Sequence, residues 1–510
     1  MRAILSVSDK SNLVEFAKRL LDIDIDIYST GGTKKALEEA GVKVHKVSEM
    51  TGYPEILDGR VKTLHPVVHG GILARRDKPA HMEELAKNSI EPIDMVVINL
   101  YPFVQTVSKE NVTLEDALEN IDIGGPTMIR AAAKNFPSVL VIVDPQDYGM
   151  IADKLAKGEI TQEDRKMLAQ KAFQHVAMYD TAISQYLKGE TLFTDDMTIA
   201  MKKVNDLRYG ENPHQKAAIY REQAVGKGSA GITSATQLHG PELSFNNFLD
   251  IEAAWSTACD FNGPTVAIIK HTNPCGLCTN NDLIEAYKRA LAGDPVSAFG
   301  GIVAINRTLD IALATEIDKM HYDVLIAAEI ESEALSLLKR KKNMRILTLP
   351  VDKTQGEKRG LDLRPISGGF LVQEADYYTE GEFKPRTVSK RAPTGKELKD
   401  MLYAWKIIKH IKSNAIALAK DNTMLGMGAG QPNRVVSVEL SLQKAGDAAK
   451  GSVLASDAMI PFPDTVEVAA KGGATAVIQT GGSIRDEEVI ATADKYNMAM
   501  VFTGIRHFRH

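Results

Sequence analysis

Apolar and polar positions alternate between two periods along the first 145 residues. Ala3–Val7 is an apolar-rich run of strand length, and Leu13, Phe16, Ala17, Leu20 and Leu21 follow at the spacing of one helix face. Ile23, Ile25 and Ile27 alternate with Asp24 and Asp26, which predicts a second strand. The turn-rich Ser29–Thr33 comes next, then the helix-prone KKALEEA, ended by Gly41. Further strands are predicted at Val42–Val47, at Met95–Leu100 before Pro102, and at Val139–Val143 before Pro145. Helices are predicted near Thr113–Glu119 and Thr127–Lys134. Strand and helix in alternation imply α/β architecture, a parallel sheet covered by helices. In such sheets ligands bind where strands end and loops turn into helices.

From Met150 to Lys188 the pattern is mostly helical, and Leu192–Asn205 has no strong period, which sets a domain boundary near residue 200. The expected division is 1–199 and 200–510. Beyond it, Thr265–Ile269 reads as a buried strand, Asp282–Leu291 as an amphipathic helix and Gly301–Ile305 as another strand. A charge-rich stretch, Lys339–Lys358, followed by Leu361–Pro385, predicts an internal boundary near 360–390. No repeat of fixed short period and no low-complexity tract stands out.

Composition narrows the class. The chain has 510 residues and a net charge of −5, which argues against non-specific attraction to nucleic acid. No run reaches the length of about 18 apolar residues that a membrane helix needs. Only three cysteines occur, Cys259, Cys275 and Cys278, and the chain start lacks a long apolar stretch before Ser8, Asp9 and Lys10. A reducing, cytoplasmic setting is the expectation.

Several stretches carry more polar chemistry than a core requires. Ser29, Thr30, Gly31 and Gly32 lie between a predicted strand and helix, where backbone N–H groups can cradle a phosphate, although an isolated STGGT is also an ordinary turn. GRVKTLHPVVHGGILARR concentrates Arg60, Lys62, His65, His69, Arg75 and Arg76, a candidate anion site. IDIGGPTMIRAAAKN joins Asp122 to a glycine turn and to a helix bearing Arg130 and Lys134 one turn apart; Asp122 as a cap and Lys134 as a solvated residue is the bland alternative. Tyr101 ends a strand, as aromatics often do. LRYGENPHQ, from Leu207 to Gln215, has the makings of a functional loop. The strand before Lys270-His271-Thr272-Asn273 places an imidazole beside a lysine, the position of a general base.

Other templates fit less well. P-C-x-x-C at Pro274–Cys278 matches half of the zinc-deaminase signature, but the H-x-E order occurs only at His81-Met82-Glu83, in the other expected domain. The same cysteines do not precede a redox-type helix. HExxH, GxSxG and GxxxxGK[ST] are absent from the sequence, and Gly426, Gly428 and Gly430 lack the third glycine of a dinucleotide fingerprint, so a tight turn is expected there. A zinc-dependent nucleotide deaminase and a purine-nucleotide binding protein without turnover remain the alternatives.

Taken in order, SVSDK, STGGT, GRVKTLHP, NLYPF, IDIGGPTMIRAAAKN, LRYGENPHQ, KHTNPCG, SAFGGIVA, GAGQPNR, SDAMIPFPD and GIRHFRH resemble one family along essentially the whole chain. It is the bifunctional family of purine biosynthesis that joins phosphoribosylaminoimidazolecarboxamide formyltransferase to IMP cyclohydrolase. The resemblance implies a methylglyoxal-synthase-like N-terminal domain that closes the purine ring. It also implies a C-terminal region of two cytidine-deaminase-like subdomains, which transfers a formyl group from 10-formyltetrahydrofolate to the aminoimidazole carboxamide ribonucleotide (AICAR) without a catalytic metal. Implied cyclohydrolase residues are Lys62, Tyr101, Asp122 and Lys134, with Ser8, Lys10, Ser29, Thr30, Gly31, Gly32, Arg60 and Thr63 around the nucleotide. Implied transferase catalysts are Lys270 and His271. Arg208, Tyr209, Gly300, Asp323, Asn414, Arg434, Arg506 and Phe508 would hold the ribonucleotide, and Asp464 would contact the folate. Met459 stands where some relatives carry an aromatic. The family's homodimer, with transferase sites drawing on both subunits, is a further implication, as are small-molecule partners rather than nucleic acid or membrane.

Overall fold

The computed structural model describes residues 1–57, 59–109, 111–223, 231–351, 360–377 and 383–510. The chain divides into two compact units, with Met1–Lys202 the body of the first and residues 231–510 the body of the second. No helix of the described residues is long and apolar enough to cross a membrane.

The first unit runs β1 (Arg2–Val7), α1 (Leu13–Leu21), β2 (Asp26–Ser29), α2 (Gly31–Glu39), β3 (His45–Lys46), α3 (Val47–Thr51), α4 (Pro66–Leu73) and α5 (Pro79–Lys87). It continues with β4 (Met95–Asn99), α6 (Phe103–Val107), α7 (Leu114–Glu119), α8 (Gly124–Lys134), β5 (Leu140–Ile142), α9 (Tyr148–Lys157) and α10 (Gln162–Leu187). The five strands pair in parallel in the order β3-β2-β1-β4-β5. Both faces are covered, so the central strands read as uninterrupted apolar runs: all of β4 is buried. Leu13, Phe16, Ala17 and Leu20 of α1 pack on one face with Leu37 and Tyr148, while Val68, Ile72, Met128, Ile129, Ala172 and Val176 cover the other. The order reverses between β1 and β4, and sheets of this kind bind ligands at such a switch point, outside the carboxyl ends of the strands.

Two predicted strands are shorter than their patterns suggest. The Ile23–Ile27 alternation is cut by a turn in which Asp24 takes φ 56°, so pairing starts at Asp26, opposite Arg2. In Val42–Val47 only His45 and Lys46 pair, and Val47 opens α3.

A hairpin, β6 (Met201–Leu207) and β7 (Ala217–Glu222), falls where the chain passes from one unit to the other, and the body of the second unit starts with β8 (Thr236–His239). Then come α11 (Phe245–Cys259), β9 (Thr265–Lys270), β10 (Asn273–Thr279), α12 (Leu283–Gly293), α13 (Pro295–Ala298), β11 (Ile302–Leu309), α14 (Ile311–Asp318), β12 (Val324–Ile330), α15 (Ser332–Leu338) and β13 (Arg345–Thr348). A hairpin of β14 (Leu361–Ile366) and β15 (Gly369–Glu374) and the short β16 (Arg386–Thr387) precede α16 (Gly395–Ile408), β17 (Ile416–Lys420), β18 (Thr423–Gly428) and α17 (Arg434–Ala445). The chain ends through β19 (Val453–Ser456), α18 (Pro463–Lys471), β20 (Ala476–Gln479), α19 (Asp486–Lys495) and β21 (Ala499–Phe502). Within the charge-rich Lys339–Lys358 stretch the chain still supplies β13; residues 352–359 and 378–382 of the expected division lie outside those described.

This unit contains a duplication. The segments from α11 to β13 and from α16 to β21 share one order, a helix, an antiparallel strand pair, then helices alternating with parallel strands. Their sheets join through β10 and β18 at Cys278 and Thr423. Positions 150 apart correspond: the capping residues Ser244 and Thr394, the carboxylates Asp250 and Asp400, the buried Trp255 and Trp405, Lys270 and Lys420, and Gly276 and Gly426. Both glycines have the same cause, because a side chain at either would run into a helix backbone, at Ala290 O or Ser441 O. Gly426 and Gly428 are therefore strand residues that admit α17, not a tight turn; of the three only Gly430 has positive φ.

Candidate active sites

At the switch point of the first unit, the loop after β1 is pinned to the end of β4 by Asn99. Its Oδ1 accepts the N–H groups of Ser8 and Asp9, both at 2.7 Å, and its Nδ2 donates to Asp9 O at 3.1 Å. Lys10 Nζ reaches Ser8 O at 3.4 Å. Thr33 bridges the same loop to α2: its Oγ1 accepts Val7 N–H at 2.9 Å and donates to Val7 O at 3.0 Å. The Ser29 hydroxyl is buried and donates to Leu5 O at 2.7 Å, so this residue offers its backbone rather than its side chain. Thr30 caps α2 without a side-chain bond, and Gly31 (φ 49°) and Gly32 follow with open space around Gly32. The first N–H groups of α2 thus form an anion cradle.

Lys62 faces this cradle, its Nζ 4.0 Å from where a side chain on Gly31 would begin. Thr63 is buried against Gly124, whose missing side chain leaves room for the threonine hydroxyl. Asp122 Oδ1 accepts Gly125 N–H at 2.8 Å. Burial raises the Asp122 carboxyl above its ordinary value; the bond from Gly125 and the Lys62 ammonium pull the other way without winning. Tyr101 is exposed just past the end of β4. Arg60 is exposed and paired with Glu119.

Lys134 is elsewhere. It is the last residue of α8, about 15 Å from Gly124 at the helical rise. It lines a depression of about 690 Å³ with Arg130, Lys166, Leu73 and Phe173. Within one chain, Lys134 does not join Asp122.

Helix α10 supplies two supports that the sequence did not reveal. The Asp122 N–H donates to Tyr179 Oη at 2.7 Å, and the same hydroxyl donates to Asn120 O at 3.2 Å. One turn earlier, His175 Nε2 accepts Leu100 N–H at 3.3 Å, next to Tyr101. Burial lowers the His175 pKa, keeping the ring neutral and able to accept. One face of one helix therefore holds the loops of both Asp122 and Tyr101.

In the second unit, Lys270 ends β9 and its Nζ donates to Phe299 O at 2.6 Å. Gly300 (φ 70°) lies against that ammonium, since a side chain there would begin 3.9 Å from it. Gly300 N–H donates to His321 O at 2.9 Å, and Asp323 stands 3.5 Å from His321. Lys270, Gly300 and Asp323 thus share one neighbourhood. His271 and Thr272 form the turn into β10, and the His271 carbonyl accepts from Asn273 Nδ2 at 3.0 Å. Asn273 Oδ1 in turn accepts Lys412 N–H at 3.3 Å, which brings the turn to the segment of Asn414.

Asn414 and Arg434 are engaged in scaffold. Arg434 is buried, ion-paired with Asp457, and bonded to Ser456 Oγ and Asn414 Oδ1, both at 2.8 Å; the Asn414 amide donates to Gln431 O at 2.9 Å. The C-terminal segment runs beside them, through Ser413 N–H to Arg509 O at 2.9 Å, and stacks Arg506 on Phe508 with 4.5 Å to the ring centre. Arg208 lies over Tyr209 at 5.8 Å, in a loop tied to α11 by Asn246. Asp464 opens α18 with Met459 and Phe462 exposed before it, and its Oδ1 accepts Thr465 N–H at 2.7 Å.

The cysteines are core residues. Cys275 Sγ donates to Ile268 O at 3.3 Å, and Cys278 Sγ shares a bond with Thr423 Oγ1 at 3.2 Å. Burial pushes the Cys275 thiol up to about 12, as for an inert core cysteine. Among the described residues no group of three or more His, Cys, Asp or Glu could hold a metal ion.

Two family models match along the chain. The family model of the AICARFT/IMPCHase bienzyme matches residues 132–444, and that of the MGS-like domain matches residues 12–127. The bifunctional purine biosynthesis protein PurH of Thermoanaerobacter sp. (strain X514) is 52% identical over 512 residues, covering 100% of this chain and 99% of its own length. PurH of Bacillus cereus (strain AH820) is 52% identical over 514 residues with the same coverage.

Proposed function

The chain belongs to the AICARFT/IMPCHase bienzyme family, and from that premise we propose which residues of each unit carry its two reactions. The enzyme catalyses the last two steps of IMP synthesis. It transfers the formyl group of 10-formyltetrahydrofolate to AICAR, then closes and dehydrates formyl-AICAR to IMP. Full-length identity of 52% carries this reading. The assignment gives cyclisation to 1–199 and transfer to 200–510.

In transfer, the substrate amine attacks the formyl carbon, a tetrahedral oxyanion forms, and the bond to the folate nitrogen breaks. His271 takes the amine proton and returns one to the leaving nitrogen, while the Lys270 ammonium, held by Phe299 O, stabilises the oxyanion. Gly300 and Asp323 line the nucleotide side. Arg506 and Phe508 complete it, Arg208 and Tyr209 approach it from the loop before α11, and Asp464 meets the folate. Asn414 and Arg434 contribute by holding the wall.

In cyclisation, the carboxamide nitrogen loses a proton as it attacks the formyl carbon, whose oxygen becomes a hydroxyl. That hydroxyl takes a second proton and leaves as water while the former formamide nitrogen gives up its N–H proton and the C=N bond forms. Asp122 is the proton acceptor, Lys62 the donor to the leaving oxygen, and Tyr101 orients the ring. The phosphate rests in the α2 cradle with Lys10 and Arg60 near. Lys134, remote from Asp122 in its own chain, serves a second copy's site or the approach of substrate.

A cytoplasmic homodimer completes the proposal. Free cysteines fit a reducing compartment. Two-stranded ribbons are marginal alone, and both hairpins expose apolar side chains, Met201, Val204 and Tyr220 on one and Ile366, Phe370 and Leu371 on the other. Sedimentation at micromolar concentration should give a mass of two chains; a monomer would remove the shared-site reading.

The direct test incubates purified protein with AICAR and 10-formyltetrahydrofolate, without added metal, and identifies nucleotide products by mass. IMP supports both assignments. Formyl-AICAR alone contradicts the cyclisation site, and nucleotide binding without product would leave a sensor.

Tyr179→Phe tests the α10 support. It leaves the Asp122 N–H without its acceptor, which is expected to cost about 1–3 kcal/mol of stability. Cyclisation of supplied formyl-AICAR should fall while formyl transfer is unchanged; equal losses in both activities would contradict a local role.

A further inference from the structure

The duplication in the second unit provides an internal comparison for the transferase turn. In each repeat the turn between the two antiparallel strands holds two consecutive residues in the left-handed region: His271 (φ 51°) and Thr272 (φ 61°) in one, Asp421 (φ 52°) and Asn422 (φ 53°) in the other. Asp and Asn adopt this conformation readily. A β-branched threonine does so at a steric cost. The first turn is therefore the strained one, and strain of this kind persists only where surrounding bonds over-determine the backbone.

Those bonds come from Asp250 on α11. Its Oδ1 accepts Thr272 N–H at 2.6 Å and its Oδ2 accepts His271 N–H at 3.3 Å. Asn273 holds the His271 carbonyl from the other side, so both ends of the histidine backbone are fixed while its side chain stays exposed. In the second repeat the corresponding Asp400 makes a longer bond to Asn422 N–H, 3.5 Å, and turns its other oxygen toward Lys396. One carboxylate is committed wholly to its turn; its counterpart is shared with a surface lysine. Bonds to an ionised acceptor are roughly twice as strong as neutral ones.

We propose that Asp250 is a positioning residue for formyl transfer, aiming His271 and Lys270 at the reacting centre through the backbone of the strained turn. The proposal rests on the assignment of transfer to that turn. Asp250 touches no reacting atom. Its contribution is orientation, and a misplacement of about 1 Å can cost about 10²-fold in rate.

Full-length Asp250→Ala, Asp250→Asn, Asp400→Ala, Asp400→Asn and His271→Ala enzymes would be compared for transfer kinetics, with thermal unfolding measured for each. Asp250→Ala is expected to lower the kcat of transfer about tenfold to a hundredfold with KM values near wild type. Asp250→Asn, which keeps one oxygen acceptor, should recover part of the loss even if the alanine variant folds poorly. The Asp400 variants report what losing the same anchor costs where no chemistry depends on it, and they should keep wild-type kcat. Equal kcat losses at positions 250 and 400 would make the role merely structural and overturn the proposal. Wild-type kcat in Asp250→Ala beside an inactive His271→Ala overturns the proposal alone. An active His271→Ala overturns the assignment beneath it.

Discussion

Lys270→Ala is expected to lower formyl transfer by about 10²–10³-fold, the scale of removing one donor from an oxyanion site, while cyclisation of supplied formyl-AICAR continues at the wild-type rate. The two halves of this result have separate causes. The loss follows from the proposed role: the Lys270 ammonium is held at Phe299 O beside Gly300, so its charge is fixed in place for the oxyanion the proposal assigns to it, and alanine leaves nothing there. The preservation follows from architecture, because Lys62, Asp122 and the α2 cradle all belong to the other compact unit. A coupled product assay on AICAR and 10-formyltetrahydrofolate, run beside a cyclisation assay, separates the outcomes. Loss of both activities in a folded variant would contradict the two-site assignment.

The sequence was most legible where the signal is local. The apolar run at Met95–Asn99 and the 3–4 spacing of Leu13, Phe16, Ala17 and Leu20 become β4 and α1 because burial alone decides them. Ile23–Ile27 misled because a period-two pattern does not register that one of its aspartates turns left-handed to end a helix. The duplication is implied by the family resemblance, through its two like subdomains, but not by the residue pattern, because its helices and strands repeat while few side chains do. Asp250, Trp255, Lys270 and Gly276 match partners 150 positions on, each kept for a backbone bond, a buried ring or a close helix approach.

The same division holds at the sites. Lys62, Asp122, Lys270 and His271 stand in motifs whose residue types announce chemistry. Asn99, His175, Tyr179 and Asp250 do not, because each acts on backbone N–H groups far along the chain: Asn99 on Ser8, His175 on Leu100, Tyr179 on Asp122. No spacing rule in sequence marks such pairs. Arg434 shows the reverse, a residue in a conspicuous motif whose guanidinium is spent on Asp457, Ser456 and Asn414 inside the protein.

Asp122→Asn should separate activity from stability. Asparagine retains an oxygen to accept Gly125 N–H, so the loop can keep its shape, but it cannot take the carboxamide proton, and cyclisation is expected to fall about 10²–10⁴-fold. Burial raises the folded-state pKa of Asp122 above its unfolded value. The proton is thus bound more tightly in the folded protein. The stability this contributes is fully present below the unfolded pKa and is lost as pH rises through the raised folded one. At neutral pH the wild type holds a charge that its surroundings disfavour, and the neutral amide removes that cost. The variant should therefore unfold at an equal or higher denaturant concentration at pH 7, with its advantage disappearing toward acid pH. Wild-type cyclisation should show an acid limb above the ordinary carboxylate range, where Asp122 becomes protonated, and the residual activity of the variant should lack it. An Asp122→Asn enzyme that keeps both the rate and the acid limb would remove Asp122 from the proton transfer and leave it only the task of shaping the loop before α8.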